Sequence, residues 1–134
     1  MDTQFKERFQ HYLTGVPKLD DEHYAILNLM FELECSPPLP PAELATKVQT
    51  IIDMFRAHLV SEELMMDAIE YPFSIFHKMH HAEILRMLMK YNEPATNLIT
   101  KHSTRRISDH LFSHIDHHDS KLADYIRNRE NASY

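Results

Sequence analysis

Seven prolines and a single glycine do most to limit what this chain of 134 residues can fold into. The prolines sit in short breaks: GVP at 15–17, CSPPLPP at 35–41, EYP at 70–72 and NEP at 92–94. Proline has no amide N–H and clashes with the preceding turn, so such breaks end or begin helices. A sheet fold of this length needs glycine at its turns and bulges, and Gly15 alone cannot supply them. The stretches between the prolines, rich in Leu, Ile, Met, Glu and Ala, are therefore expected to be helices.

Their apolar residues recur at spacings of three and four. The first helix, 20–35, starts from Asp20 or Asp21 as N-cap and sets His23, Ile26, Leu27, Met30 and Leu33 on one face. The second, 41–69, carries Pro41 in its first turn and lines up Val48, Ile52, Phe55, Leu59, Glu62 and Met66, with His58 one turn before Glu62. The third, 73–91, turns His77, His81, Ile84, Leu88 and Tyr91 inward. The fourth, 94–128, opens on Pro94 and runs through Leu98, Ile107, Leu111, His114, His118, Leu122 and Tyr125, close to a seven-residue repeat. Short connections between long helices force neighbours to run antiparallel. The expectation is an all-α, up-down-up-down four-helix bundle forming one domain over 1–134, with 1–19 as an N-terminal arm across it in which TGVPKLD is irregular.

The net charge of −6, with no cluster of Lys or Arg, argues against nucleic acid or an anionic membrane surface as partner. No run reaches the ~20 apolar residues that span a bilayer. MDTQFKERFQHYL lacks the apolar centre of a signal peptide, so a cytoplasmic location is expected. Cys35 is the sole cysteine, which excludes an internal disulfide and a Cys-rich zinc site. Metal chemistry here must use nitrogen and oxygen donors.

Such donors interrupt every apolar stripe. His58 and Glu62 are i, i+4 on the second helix; His77 and His81 repeat that spacing on the third; His23 and His114 lie on the first and fourth. A buried polar group without a partner costs roughly 1–3 kcal/mol, so imidazoles turned inward from four helices need a common one. A metal centre would serve, since imidazole suits Zn, Cu, Fe and Ni and carboxylates can bridge two ions. Asp119 is harder to place: five residues beyond His114, it lies about 140° round an α-helix at about 100° per residue. Spacing alone does not choose it over Asp116. The methionines read as core filler rather than thioether ligands.

TGVPKLDDEHYAIL (14–27), HLVSEELMMDAIEYPFSIFHKMHH (58–81) and LFSHIDHHD (111–119) together resemble the hemerythrins, in their bacterial single-domain form. The resemblance spans nearly the whole chain. It implies two iron ions bridged by Glu62, Asp119 and an oxo or hydroxo group. His77, His81 and His114 would bind one iron, and His23 and His58 the other, whose vacant position takes dioxygen. The function implied is reversible dioxygen binding by a carrier, store or supplier, with an oxygen-using enzyme or a reductase as partner; a monomer or small homo-oligomer is expected. Alternatives on the same ligands are a peroxidase, a nitric-oxide- or oxygen-detoxifying enzyme, or a stand-alone oxygen sensor.

Two departures from the family pattern add candidates. Tryptophan is absent, and His110 stands where the family often has it before the last HI element. His117 and His118, three and four residues after His114, could both face the interior; His117 is the candidate to make the oxygen pocket more polar, the alternative being an exposed or helix-packing histidine. His80, beside a ligand position, is read as a non-ligand that either supports the site or faces a neighbouring helix, and Ile115 as a candidate to support the site or line the pocket. His11 and His102 read as surface residues.

Overall fold

The computed structural model describes the backbone of residues 2–91 and 101–132, and the side chains of 5–90 and 105–130. Its elements are α1 (Asp2–Gln10), α2 (Pro17–Cys35), α3 (Pro41–Ala68), α4 (Ser74–Tyr91), α5 (Lys101–His114), a π-helical turn (Ile115–Asp119) and α6 (Ser120–Ala132). The expected stripes on Leu98 and Tyr91, the Pro94 helix start and the placement of His102 lie outside the described residues or side chains.

The N-terminal region holds a helix that the sequence pattern does not announce, and the next helix starts earlier than expected. Residues 2–10 are helical because Phe5 and Phe9 sit four apart on one face and bury it. Phe5 meets the Phe31 ring at 5.2 Å, and Phe9 meets Tyr24 edge-on at 5.3 Å. Helix α2 also begins at Pro17, with Val16 as its N-cap and no side-chain cap. Proline's fixed φ starts the helix without the hydroxyl or carboxylate that an N-cap normally supplies. Asp20 falls inside the first turn and faces back. Its carboxylate accepts from Thr14 N at 2.8 Å, Thr14 Oγ1 at 2.7 Å and Gly15 N at 3.1 Å. Gly15 adopts φ +85°, which a side chain would resist.

Helix α2 packs on α3 and α5, α4 packs on α3 and α5, and α1 lies on α2. The apolar core falls into two clusters. One holds Ile26, Leu27, Phe55, Leu59, Ile84, Leu111 and Ile115 among others. The second, smaller, comprises Leu19, Met66, Tyr71, Leu122 and Ala123. Along each helix a polar residue falls between them: His23 between Leu19 and Ile26, Glu62 between Leu59 and Met66, and His77 between Tyr71 and Ile84. The helices thus sandwich a polar layer between two apolar ones.

The turn from α3 to α4 fixes the orientation of that layer. Tyr71 N donates to Met66 O at 2.9 Å and Glu70 N to Asp67 O at 3.3 Å, closing α3 in a Schellman pattern. Glu70 takes the left-handed position, φ 53°, where glycine is usual. Tyr71 is buried there, its ring 5.3 Å from Tyr125 and 6.4 Å from His77. No helix among the described residues is long and apolar enough to cross a membrane.

Candidate metal centre

His23, His58, Glu62, His77, His81, His114 and Asp119 are all buried, none more than 4 % exposed. Four helices and the π turn bring them to one place. The i, i+4 pairs behave as helical geometry requires: His58 Nε2 lies 2.9 Å from Glu62 Oε2, and the His77 and His81 ring centroids are 4.4 Å apart.

The two carboxylates divide the imidazoles into two sets. Glu62 Oε2 faces His58 at 2.9 Å and His23 at 3.9 Å, while Oε1 faces His77 at 2.6 Å and His81 at 3.1 Å. Asp119 Oδ2 faces His23 at 2.8 Å, while Oδ1 faces His77 at 2.8 Å and His114 at 3.0 Å. Potential metal donors therefore gather in two groups sharing both carboxylates: His77, His81 and His114 in one, His23 and His58 in the other.

Asp119 reaches this centre because the helix changes pitch. Between His114 and Ser120 the backbone is π-helical, with Ser120 N donating to Ile115 O. An i→i+5 turn fits one more residue than an α turn, so a five-residue spacing returns to the same face. The α-helical reading that set Asp119 about 140° aside fails here for that reason.

The same turn corrects the expectation for His117. With roughly five residues in the turn, His117 lands outside while His118 and Asp119 close it. His117 is exposed, with Nδ1 2.8 Å from Ser113 O. His110 is exposed too, on the outer line of α5 with Asp109 and Ser113, and lines no pocket at the centre. His118 is half-buried and stacks on His80, with centroids 4.3 Å apart.

His80 contacts the cluster directly. Its Nδ1 is 2.5 Å from His114 Nδ1, the ring planes differ by 8° and the centroids are 4.7 Å apart. That centroid distance is close to the N···N distance plus two ring radii, so the rings meet edge to edge in one plane. His114 thus turns Nε2 to Asp119 and shares a hydrogen bond with His80 through Nδ1. Sequence reasoning missed Glu22, whose Oε1 lies 2.7 Å from His58 Nδ1 and whose Oε2 accepts from Ser61 Oγ at 3.1 Å. A carboxylate holding the outer nitrogen of a ligating histidine is a common support, yet no spacing rule links Glu22 to His58 across two helices.

Several buried atoms of the cluster, including His23 Nε2, His77 Nε2, His114 Nε2, Glu62 Oε2 and both Asp119 oxygens, lie close together without aligned hydrogen bonds. Their electrostatics are strongly coupled. Burial would lower the pKa of His23, but hydrogen bonds and charge from Asp119 and Glu62 outweigh it and raise it to about 10. His77 rises to about 9 on the same balance. Burial works against ionisation of Glu62 and Asp119 as well, but the surrounding histidines hold both well below the usual carboxylate range. Burial, followed by the charges of His114, His80 and His77, pushes His118 down to about 4.

A small cavity of about 10 Å³ touches the cluster on the His23–His58 side. Its polar wall is His23, His58, His114 and Asp119, and its apolar wall is Ile26, Leu27, Phe55, Leu111 and Ile115. The volume is near the least that admits one water-sized molecule.

The family described as Hemerythrin HHE cation binding domain matches residues 14–126. The bacteriohemerythrins of Pseudomonas aeruginosa strains LESB58 and UCBPP-PA14 are 26% identical to this chain over 117 residues, covering 85% of it and 76% of their own length. That of Pseudomonas paraeruginosa strain DSM 24068 / PA7 matches to the same extent. No solved structure gives a significant match.

Proposed function

The chain belongs to the hemerythrin family of cation-binding domains, and from that premise we propose that it holds two irons and binds dioxygen reversibly. His77, His81 and His114 would hold one iron and His23 and His58 the other, with Glu62 and Asp119 shared by both sets. The cyclic contacts of α2, α3, α4 and α5 support an up-down-up-down bundle around this centre, with α1 in an N-terminal arm.

The observation that carries the reading is where the cavity lies. Counting both carboxylates, the His77 set offers five protein donors and the His23 set four. The cavity adjoins the poorer set, so an open coordination position would face it. A reduced iron pair supplies the two electrons that dioxygen takes up on binding and returns on release. The chain's own residues do the rest. Ile26, Leu27, Phe55, Leu111 and Ile115 exclude water from the cavity and leave no room beyond a small molecule. Nitrogen and carboxylate donors in this proportion suit iron, and the absence of a thiolate disfavours soft-metal sites.

This arrangement favours a binding protein over a peroxidase. Every polar side chain lining the cavity is assigned as a ligand, and the rest of its wall is apolar. His117, the candidate proton donor, points to solvent. Among the lining residues no free acid or base remains for O–O cleavage. The test is anaerobic reduction of the iron-loaded protein followed by air. A visible charge-transfer band should develop, persist for minutes and vanish on deoxygenation, with two irons per chain. One zinc per chain, or immediate oxidation with no band, would refute the proposal.

A further inference from the structure

We propose that Leu27 gates the passage of dioxygen between the cavity and a surface groove beneath α1, an inference that rests on the cavity's role proposed above. Every residue lining the cavity is buried, so the way in from the surface is narrow. Leu27, 2 % exposed, also lines a second, open hollow of about 460 Å³ between α1, α2 and α5. It is the residue common to both linings. One leucine side chain therefore separates the groove from the cavity, and a leucine can change rotamer without moving its backbone.

The groove gives an apolar diatomic ligand one apolar side: Phe5, Phe31 and Phe112 line that side, and Arg8, Glu34, Arg105 and Ser108 the polar one. Its two cations are engaged: Arg8 lies over the Phe112 ring at 4.1 Å and pairs with Asp109, and Arg105 lies 3.9 Å from Glu34. They form a rim that offers no open charge on the floor. The opposite approach, past His80 and His118, is polar and leads to the outer nitrogen of His114 rather than to the cavity. An apolar molecule has its low-barrier route through Leu27.

Cys35 supplies a test that leaves the cavity untouched. It is exposed, lines the groove and is the only cysteine in the chain. A bulky maleimide on Cys35 should obstruct the groove, and Leu27→Ala should open the gate. Stopped-flow and flash measurements on the iron-loaded protein then read association and dissociation of dioxygen. A gate changes both rates by the same factor: the label should slow both by about tenfold or more, and Leu27→Ala should speed both. The labelled Cys35→Ser control should match the unlabelled protein. Unchanged rates after labelling, or a change in their ratio alone, would overturn the gate. An independent readout uses zinc-loaded protein under dissolved oxygen, whose paramagnetism relaxes nearby methyl groups. Enhanced relaxation at Ile115 and Ile26 that falls on labelling supports the route, whatever becomes of the iron reading. Enhancement that the label does not alter places the route elsewhere.

Discussion

His114 and Asp119 are separated by one residue more than an α-helix allows for neighbours on one face, and the π turn absorbs it. Deleting His117 tests whether that is all the turn does. His117 is exposed and bonds only locally, to Ser113 O at 2.8 Å. Without it the segment can relax to α-helix, leaving the carboxylate four residues from His114 and about 40° off its direction at about 100° per residue. The residues beyond keep their faces, because a π turn of this kind is one extra residue within a helix. Leu122 and Ala123, fully buried, stay in the core.

The deletion variant should therefore retain metal and lie within ~1 kcal/mol of wild type in urea denaturation. Inserting an alanine after Asp116 should do the opposite. It turns everything beyond by about another 100° and takes Asp119 and Leu122 off their faces. Exposing Leu122 costs roughly 1.5–3 kcal/mol. Removing the Asp119 carboxylate also takes a shared donor away from His23, His77 and His114, so metal should be lost. Elemental analysis of purified protein and denaturation curves read both effects. If deletion and insertion lose metal alike, the turn is not a register device and the reasoning fails.

Glu22→Gln keeps the shape of the His58 support but removes its charge, and should weaken metal binding by about 10–100-fold in a chelator competition, with Ser61→Ala much milder. Gly15→Ala should cost about 1–2 kcal/mol in thermal denaturation, chiefly from φ +85°. Its added Cβ would stand 2.6 Å from Arg127 Nη1, the movable end of a side chain, so sterics add little and metal content should not change. The raised pKa values of His23 and His77 stabilise metal-free protein fully below about pH 6.5, and that stability is lost as pH rises through about 9 and 10. Metal-free protein should thus melt lower at pH 10 than at pH 7 by more than loaded protein does. Metal uptake at pH 7 should release protons, measurable by calorimetry in buffers of different ionisation enthalpy.

What could be read from the sequence follows the regularity of the backbone. His23, His58, Glu62, His77 and His81 lie on unbroken α-helix, where spacings of three and four translate directly into faces. Helix ends at proline breaks were legible too: α3 opens at Pro41 as its sequence implies. Asp119 and His117 were not, because apolar periodicity carries no mark of a π turn. A reading at α pitch therefore sets the carboxylate aside and draws the solvent histidine inward. Asp119 was chosen by the resemblance of LFSHIDHHD to its family, not by geometry. Helix α1 was missed for a different reason. It is nine residues long, too short to stand out by propensity, and owes its place to Phe5 and Phe9 docking on Tyr24 and Phe31.

The supports around the centre form a third class, set by contacts between helices. Glu22 meets His58 and His80 meets His114 across helix interfaces. Neither pairing has a fixed sequence separation, so no local pattern could announce it. The metal-facing residues differ because their common point constrains all of them at once. An imidazole on α2 that meets a carboxylate on α3 must also lie level with the histidines of α4 and α5. That requirement produces the polar layer between the Leu19–Met66–Leu122 cluster and the larger core. A chain that interrupts four apolar stripes at one level needs something at that level to hold the donors together. The same layering then explains why the cavity is small. Its floor is the polar layer, its walls are the first residues of the larger core, and Leu27 stands where that core meets the groove under α1.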